Sequence, residues 1–282
     1  MSSLEQAVPL RAIVRTPSAV SNLWRALASF GRHAVGRYTA VALVLLSWEV
    51  APRIGLAEPA FLPPLSQVLT SGWTLVSNGQ LFEHVWASLT RSLIGYGLAL
   101  LYAIPLGLAI GWYRRLANAL SPLVETLRNT AALALLPVFI LLFGIGESSK
   151  IALVIYSCSW PLLLNTIAAV KNVDPLLVKS ARTMGLSQRQ LFRKVILPAA
   201  LPTIFVGMRL AGASSLLVLV AAEMIGAKAG LGYLIIYSQY NFQIEYMYVG
   251  IITITALGLL FNHSLARLER HFTAWKVAPQ GE

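Results

Sequence analysis

The chain has 282 residues, of which 57% are hydrophobic and only 12% charged, against about 25% charged residues in an average soluble domain. That composition excludes a soluble globular domain and indicates an all-α membrane protein. The formal charge of +11 lies in clusters beside apolar runs, which excludes nucleic acid as its target, and the single cysteine, Cys158, excludes an internal disulfide or a thiolate cluster; no metal site is expected.

Residues 1–37 form a polar, arginine-rich leader, too long for a signal-peptide n-region and without a small-x-small cleavage site after the first apolar run. Apolar runs long enough to span follow at Tyr38–Leu56, Leu93–Tyr113, Thr126–Phe143, Ile151–Val170, Leu201–Ile225 and Tyr246–Ala266. Six transmembrane helices over residues 38–266 and a tail at 267–282 are expected. Arginines precede the first span, Arg114 and Arg115 follow the second, six basic residues lie between Lys171 and Lys194, and Arg267, Arg270 and Lys276 follow the sixth. The alternate loops hold only Arg53, Lys150 and Lys228. The positive-inside rule therefore puts both termini and the 171–198 segment in the cytoplasm.

In the second span Gly95, Ala99, Ala103, Gly107 and Gly111 recur every four residues, a stripe that lets another helix approach closely. Pro105 and, in the third span, Pro137 are expected to kink their helices. The fifth span carries Arg209 and Glu223, which are costly inside a bilayer and so are pathway or gate candidates. They lie about 21 Å apart along one helix and cannot pair with each other. Arg209 either snorkels to the cytosolic surface or offers a positive charge to an anion, while Glu223 is at the depth of Arg91 and is expected to pair with it. Gly226, Gly230 and Gly232 follow, and would let the chain re-enter the outer face as a gate with Tyr233 and Phe242, or form a plain loop. Asn129, Thr130, Ser157, Ser159 and Asn165 are further polar candidates for the pathway.

Between the fourth and fifth spans the chain reads "ARTMGLSQRQLFRKVILP", Ala181–Pro198, too charged to cross a bilayer. Asp174 followed by Pro175 is an N-cap with proline at the first helical position. Gly185 ends that helix with a left-handed cap, and Ser187 with Gln190 makes a capping box for a second helix, which Leu197 and Pro198 close. Two short amphipathic helices hinged at Gly185 are marginal alone and must dock against something, either their own bundle or anionic lipid headgroups, or a groove in a separate cytosolic subunit.

This segment resembles the EAA loop of ABC-importer permeases, whose pattern is EAA, three residues, Gly, nine residues, then I-x-L-P. Lys179, Ser180 and Ala181 stand at the EAA positions, with lysine where the family often has glutamate; Gly185 follows after three residues, and nine more lead to Val195, Ile196, Leu197 and Pro198. "LRNTAALALLPVFILLFGIGESSKI" (Leu127–Ile151) and "AAEMIGAKAGLGYLI" (Ala221–Ile235) are similar to the branch serving aliphatic sulfonates, taurine and nitrate, although relatives commonly carry a proline near Ala131.

The resemblance implies a type I importer permease of the bacterial inner membrane, multi-pass and homodimeric. It also implies two ATPase subunits that carry ATP and Mg, docked on a cytoplasmic coupling-helix loop (Lys179, Ser180, Ala181, Gly185, Arg189, Arg193, Leu197, Pro198), and an extracytoplasmic solute-binding protein. In agreement, the sequence has no G-x-x-x-x-G-K-[ST], so ATP hydrolysis is expected on a separate subunit, with no catalytic residue and no cofactor on this chain. A stand-alone ion-coupled secondary transporter is the alternative, for which acids paired across an inverted repeat are expected and not found. His33, His84, His263 and His271 are scattered without an H-E-x-x-H, which argues against a membrane enzyme.

Overall fold

In the computed structural model residues 39–273 are described, and the regular elements among them are all helical. The leader 1–37 and the end of the tail, 274–282, fall outside the described residues. The chain divides into two compact units, Met1–Leu65 and Ser66–Glu282. In the first, helix α1 covers residues 39–53 and turns Val41, Leu43, Val44 and Leu46 outward. The Trp48 indole Nε1–H donates to the Pro63 carbonyl at 3.1 Å, which folds the following turns back on that helix.

The second unit opens within the first turn of α2 (Leu65–Ser77) and is dominated by four helices long and apolar enough to cross a membrane. They are α3 (Gln80–Trp112), α6 (Glu147–Lys171), a composite of α8 (Gln188–Leu191), a π turn (Phe192–Ile196) and α9 (Leu197–Glu223), and α11 (Ile244–Phe272). The small-residue stripe of α3 is the seam against α6. A β-carbon added at Gly95, Gly107 or Gly111 would lie 2.6–2.7 Å from side-chain atoms of Val154, Thr166 and Val170, and Ala99 and Ala103 are fully buried between them. Helix α9 uses the same device. Gly207 leaves room for Asn165 of α6, and Gly212 for the ring of Phe261 of α11. With no hydrophobic drive between helices in lipid, such backbone approach supplies the packing energy.

The third apolar run departs from the expectation of one kinked helix. Helix α4 (Arg114–Arg128) stops at Asn129, a 3-10 turn covers Ala132–Leu135, and α5 (Leu136–Phe143) leaves at 86° to α4. Pro137 is not a kink, because it sits in the first turn of α5 where no amide donor is needed. The break falls instead at Asn129–Ala131, where Ala131 is extended (φ −62°, ψ 121°). Pro105, by contrast, lies within a continuous α3.

The sixth run also extends further than its apolar stretch, since α11 continues to Phe272 and takes Glu269 and Arg270 with it. A short helix, α10 (Leu231–Tyr240), lies between α9 and α11, and α7 (Pro175–Thr183) lies between α6 and α8.

Candidate functional site

The segment at the basic end of the bundle is built by its caps. The Asp174 carboxylate accepts from the Leu176 amide at 2.8 Å, and Pro175 opens α7 at no hydrogen-bond cost. At the other end Leu186 N–H donates to the Ala181 carbonyl and Gly185 N–H to that of Arg182, the paired bonds of a Schellman ending. That ending requires φ near +77° at Gly185, where a β-carbon would touch nothing within 4 Å, so the demand is conformational and not steric. Ser187 and Gln190 then exchange the two bonds of a capping box. Lys179 and Ser180 are exposed, while Ala181 is buried beneath them.

The second helix of this segment is not closed by Leu197 and Pro198 as its sequence suggests. Pro198 withdraws the amide that the Lys194 carbonyl would accept, and its ring crowds that turn. The chain answers by widening to a π turn, in which Leu197 N–H reaches the Phe192 carbonyl, and the helix runs on to Glu223. Arg189 and Arg193 therefore ride on a rigid extension of α9, and only α7 is an independent helix.

A second constellation lies at the opposite end of the bundle. Glu223, the last residue of α9, has no solvent exposure. Its carboxylate accepts from Ser88 Oγ at 2.8–2.9 Å, from Arg91 Nη1 at 2.6 Å and from the Gly232 amide at 2.9 Å. The expected pairing with Arg91 is thus present. Arg91 also binds Glu147 at the start of α6 through Nε and, at 2.7 Å, through Nη2, and donates to the Ala229 carbonyl at 2.7 Å. Ser88 Oγ in turn accepts from the Leu231 amide, and His84 Nδ1 from that of Gly230.

These bonds fasten the first turn of α10 to α3, α6 and α9 together. The fit is tight, since a β-carbon at Gly230 (φ 129°) would lie 2.5 Å from the Glu223 carboxyl, and one at Gly232 would lie 2.2 Å from the Val220 carbonyl oxygen. Tyr233 follows with its ring 5.9 Å from that of His84.

Neither Ser88 nor Glu147 is a candidate from the sequence, and His84 enters there only as one of four scattered histidines. His84, Ser88, Arg91 and Gly95 fall at helical spacing and continue the small-residue stripe of α3, a signal open to view. Glu147 had none, because its partner comes from another helix.

The remaining candidates separate by environment. Arg209 is ion-paired: its Nη1 lies 3.1 Å from Glu269 of α11, a partner hidden from the sequence by the expectation that the sixth helix ends at Ala266. Asn165 donates to the Pro161 carbonyl at 2.8 Å and packs under Gly207, at the α6–α9 seam. Ser159 is bonded to Tyr102 and to the Ile155 carbonyl. Asn129 is exposed at the break, its side chain donating to the Glu125 carbonyl, and Thr130 is half-buried beside it. The Tyr156 hydroxyl donates to the Leu127 carbonyl at 2.7 Å, which ties the end of α4 to a point about 13 Å along α6 from Glu147. The break therefore sits beside the interior of α6 and not at its end.

A chain with these helices, a glycine-hinged segment at its basic end and a polar clasp at the other has the design of a membrane permease. Residues 103–274 match the binding-protein-dependent transport system inner membrane component family, and the chain belongs to it, as an ABC permease of the taurine, aliphatic sulfonate and nitrate branch. The taurine transport system permease protein TauC of Escherichia coli (strain K12) is 34% identical over 83% of this chain and 87% of its own length. The putative aliphatic sulfonates transport permease protein SsuC of the same organism is 39% identical over 83% and 89%. The nitrate import permease protein NrtB of Synechocystis sp. is 31% identical over 82% and 86%. In fold, the chain is similar to the inward-facing MetNI methionine ABC transporter, with a TM-score of 0.62 at 20% identity over 69% of this chain and 96% of that one. An amino acid ABC transporter aligns with a TM-score of 0.56 at 17% identity, over 72% and 97%.

Proposed function

We propose that this chain is the permease subunit of an ATP-driven importer of a small organic anion, an aliphatic sulfonate or taurine, with nitrate as the inorganic counterpart. The observation that carries the coupling half is the capped α7–Gly185–α8 segment, presented at the basic end with Lys179 and Ser180 exposed. The substrate half rests on similarity to TauC, SsuC and NrtB.

In this reading two copies of the chain, each with six spans and cytoplasmic termini, dock two ATPase subunits and receive substrate from an extracytoplasmic binding protein. Residues 1–37 are the cytoplasmic leader, 38–266 the permease domain and 267–282 the tail, although α11 itself runs past that last boundary. ATP and Mg belong to the partner subunits. Closure of those subunits pushes α7 and Gly185; because α8 is continuous with α9, the push reaches Glu223 and the clasp on α10 along one helix. Opening of the outer gate then requires the α10 turn at Gly230–Gly232 to move with α9 or to part from α3. The exposed break at Asn129–Ala131 faces the pathway or the second copy, since bare backbone within a bilayer is tolerated only in such places. A secondary transporter needs an acid free to load and release an ion, and Glu223 is fully engaged.

The test is purification of the tagged chain from its membrane in mild detergent, followed by mass spectrometry of what accompanies it and by uptake of labelled taurine, alkanesulfonates and nitrate. An ATPase with a Walker A motif, together with uptake that depends on ATP, is expected. Transport by this chain alone, driven by an ion gradient, would overturn the reading.

A further inference from the structure

The basic end of the bundle holds a cleft of about 600 Å³ between α3 and the α8–α9 helix. Its walls are Pro105, Leu108 and Trp112 on one side and Phe192 on the other, where the rings of Trp112 and Phe192 meet edge to face at 5.2 Å. Arg189 and Arg193, both exposed, stand on the same wall. They also border a smaller hollow of about 310 Å³ that adds Gln190 and Lys194. Among the described residues neither guanidinium has a carboxylate within ion-pairing distance.

Pro105 lies about 10 Å along α3 from Trp112, so the apolar part of the cleft reaches a third of the way into a bilayer core. Trp112 and Tyr113 stand where aromatic residues gather at a membrane boundary, and Arg114 and Arg115 follow at once. An occupant must be apolar for about 10 Å and anionic at its outer end. A protein groove-binder would meet lipid along most of that length; a free anion would leave the apolar walls unfilled.

We propose that this cleft binds an anionic phospholipid of the cytoplasmic leaflet, with its phosphate on Arg189 and Arg193 and an acyl chain along Leu108 and Trp112. The proposal rests on the orientation in the proposed function but not on its substrate. It reassigns two arginines from ATPase docking, because the π turn and the continuous helix set them beside the membrane cleft, whereas α7 carries the exposed docking face. Basic pockets between spans on the cytoplasmic side are suited to such headgroups, and each interfacial cation contributes about a factor of five in affinity.

The full chain, purified in neutral detergent, would be titrated with phosphatidylglycerol and with phosphatidylcholine and followed by native mass spectrometry. Retention of phosphatidylglycerol over phosphatidylcholine is expected, weakened about twenty-five-fold in the Arg189→Gln, Arg193→Gln double variant. Ala109→Trp, which fills the apolar half of the cleft, should abolish retention while leaving both arginines. Thermal stability in detergent checks that each variant is folded; where one is not, the other decides. Equal retention of the two lipids, or retention unchanged by the folded variant, would overturn the proposal. So would binding of inorganic phosphate as tightly as the lipid, or loss of the ATPase from the double variant with lipid retention intact. Failure of sulfonate uptake with lipid retention as expected would count against the substrate reading alone.

Discussion

Glu223 shows how one carboxylate can decide a corner of a membrane protein. Buried without solvent and held by Ser88, Arg91 and the Gly232 amide, it is stabilising only while every partner stays in place. Removing one side of a buried ion pair typically costs about 3–5 kcal/mol. Glu223→Gln keeps the shape and some of the hydrogen bonds, so the lower end of that range is expected, read as a fall in the melting temperature of the purified permease with substrate preference unchanged. A changed preference at normal stability would instead place Glu223 in the substrate path. Gly230→Ala is expected to be worse, because its β-carbon would lie only 2.5 Å from the Glu223 carboxyl; recovery of normally folded protein would show that the clasp can shift aside.

At the scale of elements, α7 and its Schellman ending are the part that the proposed coupling to an ATPase would push. Gly185 holds φ near +77° in open space, so a substitution there meets strain of about 1–3 kcal/mol and no clash. Gly185→Val should leave ATP hydrolysis running while uptake fails, and Gly185→Asn, which tolerates the left-handed region, should retain most uptake. Full uptake by the valine variant would reduce Gly185 to a cap with no part in coupling. The broken third span offers a test in the opposite direction. Ala131 already has φ −62°, the angle that a proline ring imposes, and Ala131→Pro is expected to leave melting temperature and uptake unimpaired. Loss of either would show that the Ala131 amide is needed.

For the whole molecule, the bundle stands or falls on how closely its helices approach. Gly107 and Gly97 lie on the same helix, yet a β-carbon at Gly107 would lie 2.7 Å from Thr166 whereas one at Gly97 meets nothing within 4 Å. Gly107→Leu should therefore prevent recovery of folded permease, by forcing α3 from α6, while Gly97→Leu is harmless; equal yields would refute close packing as the source of stability. By itself the sequence determined whatever depends on near neighbours: the four long apolar helices α3, α6, α9 and α11, the clustering of basic residues, the caps at Asp174, Gly185 and Ser187, and the spacing of the α3 stripe. These are legible because a cap or a stripe is written in residues three or four apart, and because hydropathy is a sum along the chain. Only the tertiary structure decided that Glu147 joins Arg91, that Arg209 belongs to Glu269, that the third span breaks at Asn129–Ala131 and that Pro198 is absorbed in a π turn. Each of these turns on a group from a distant helix or on an exchange of backbone bonds, and a linear pattern carries neither.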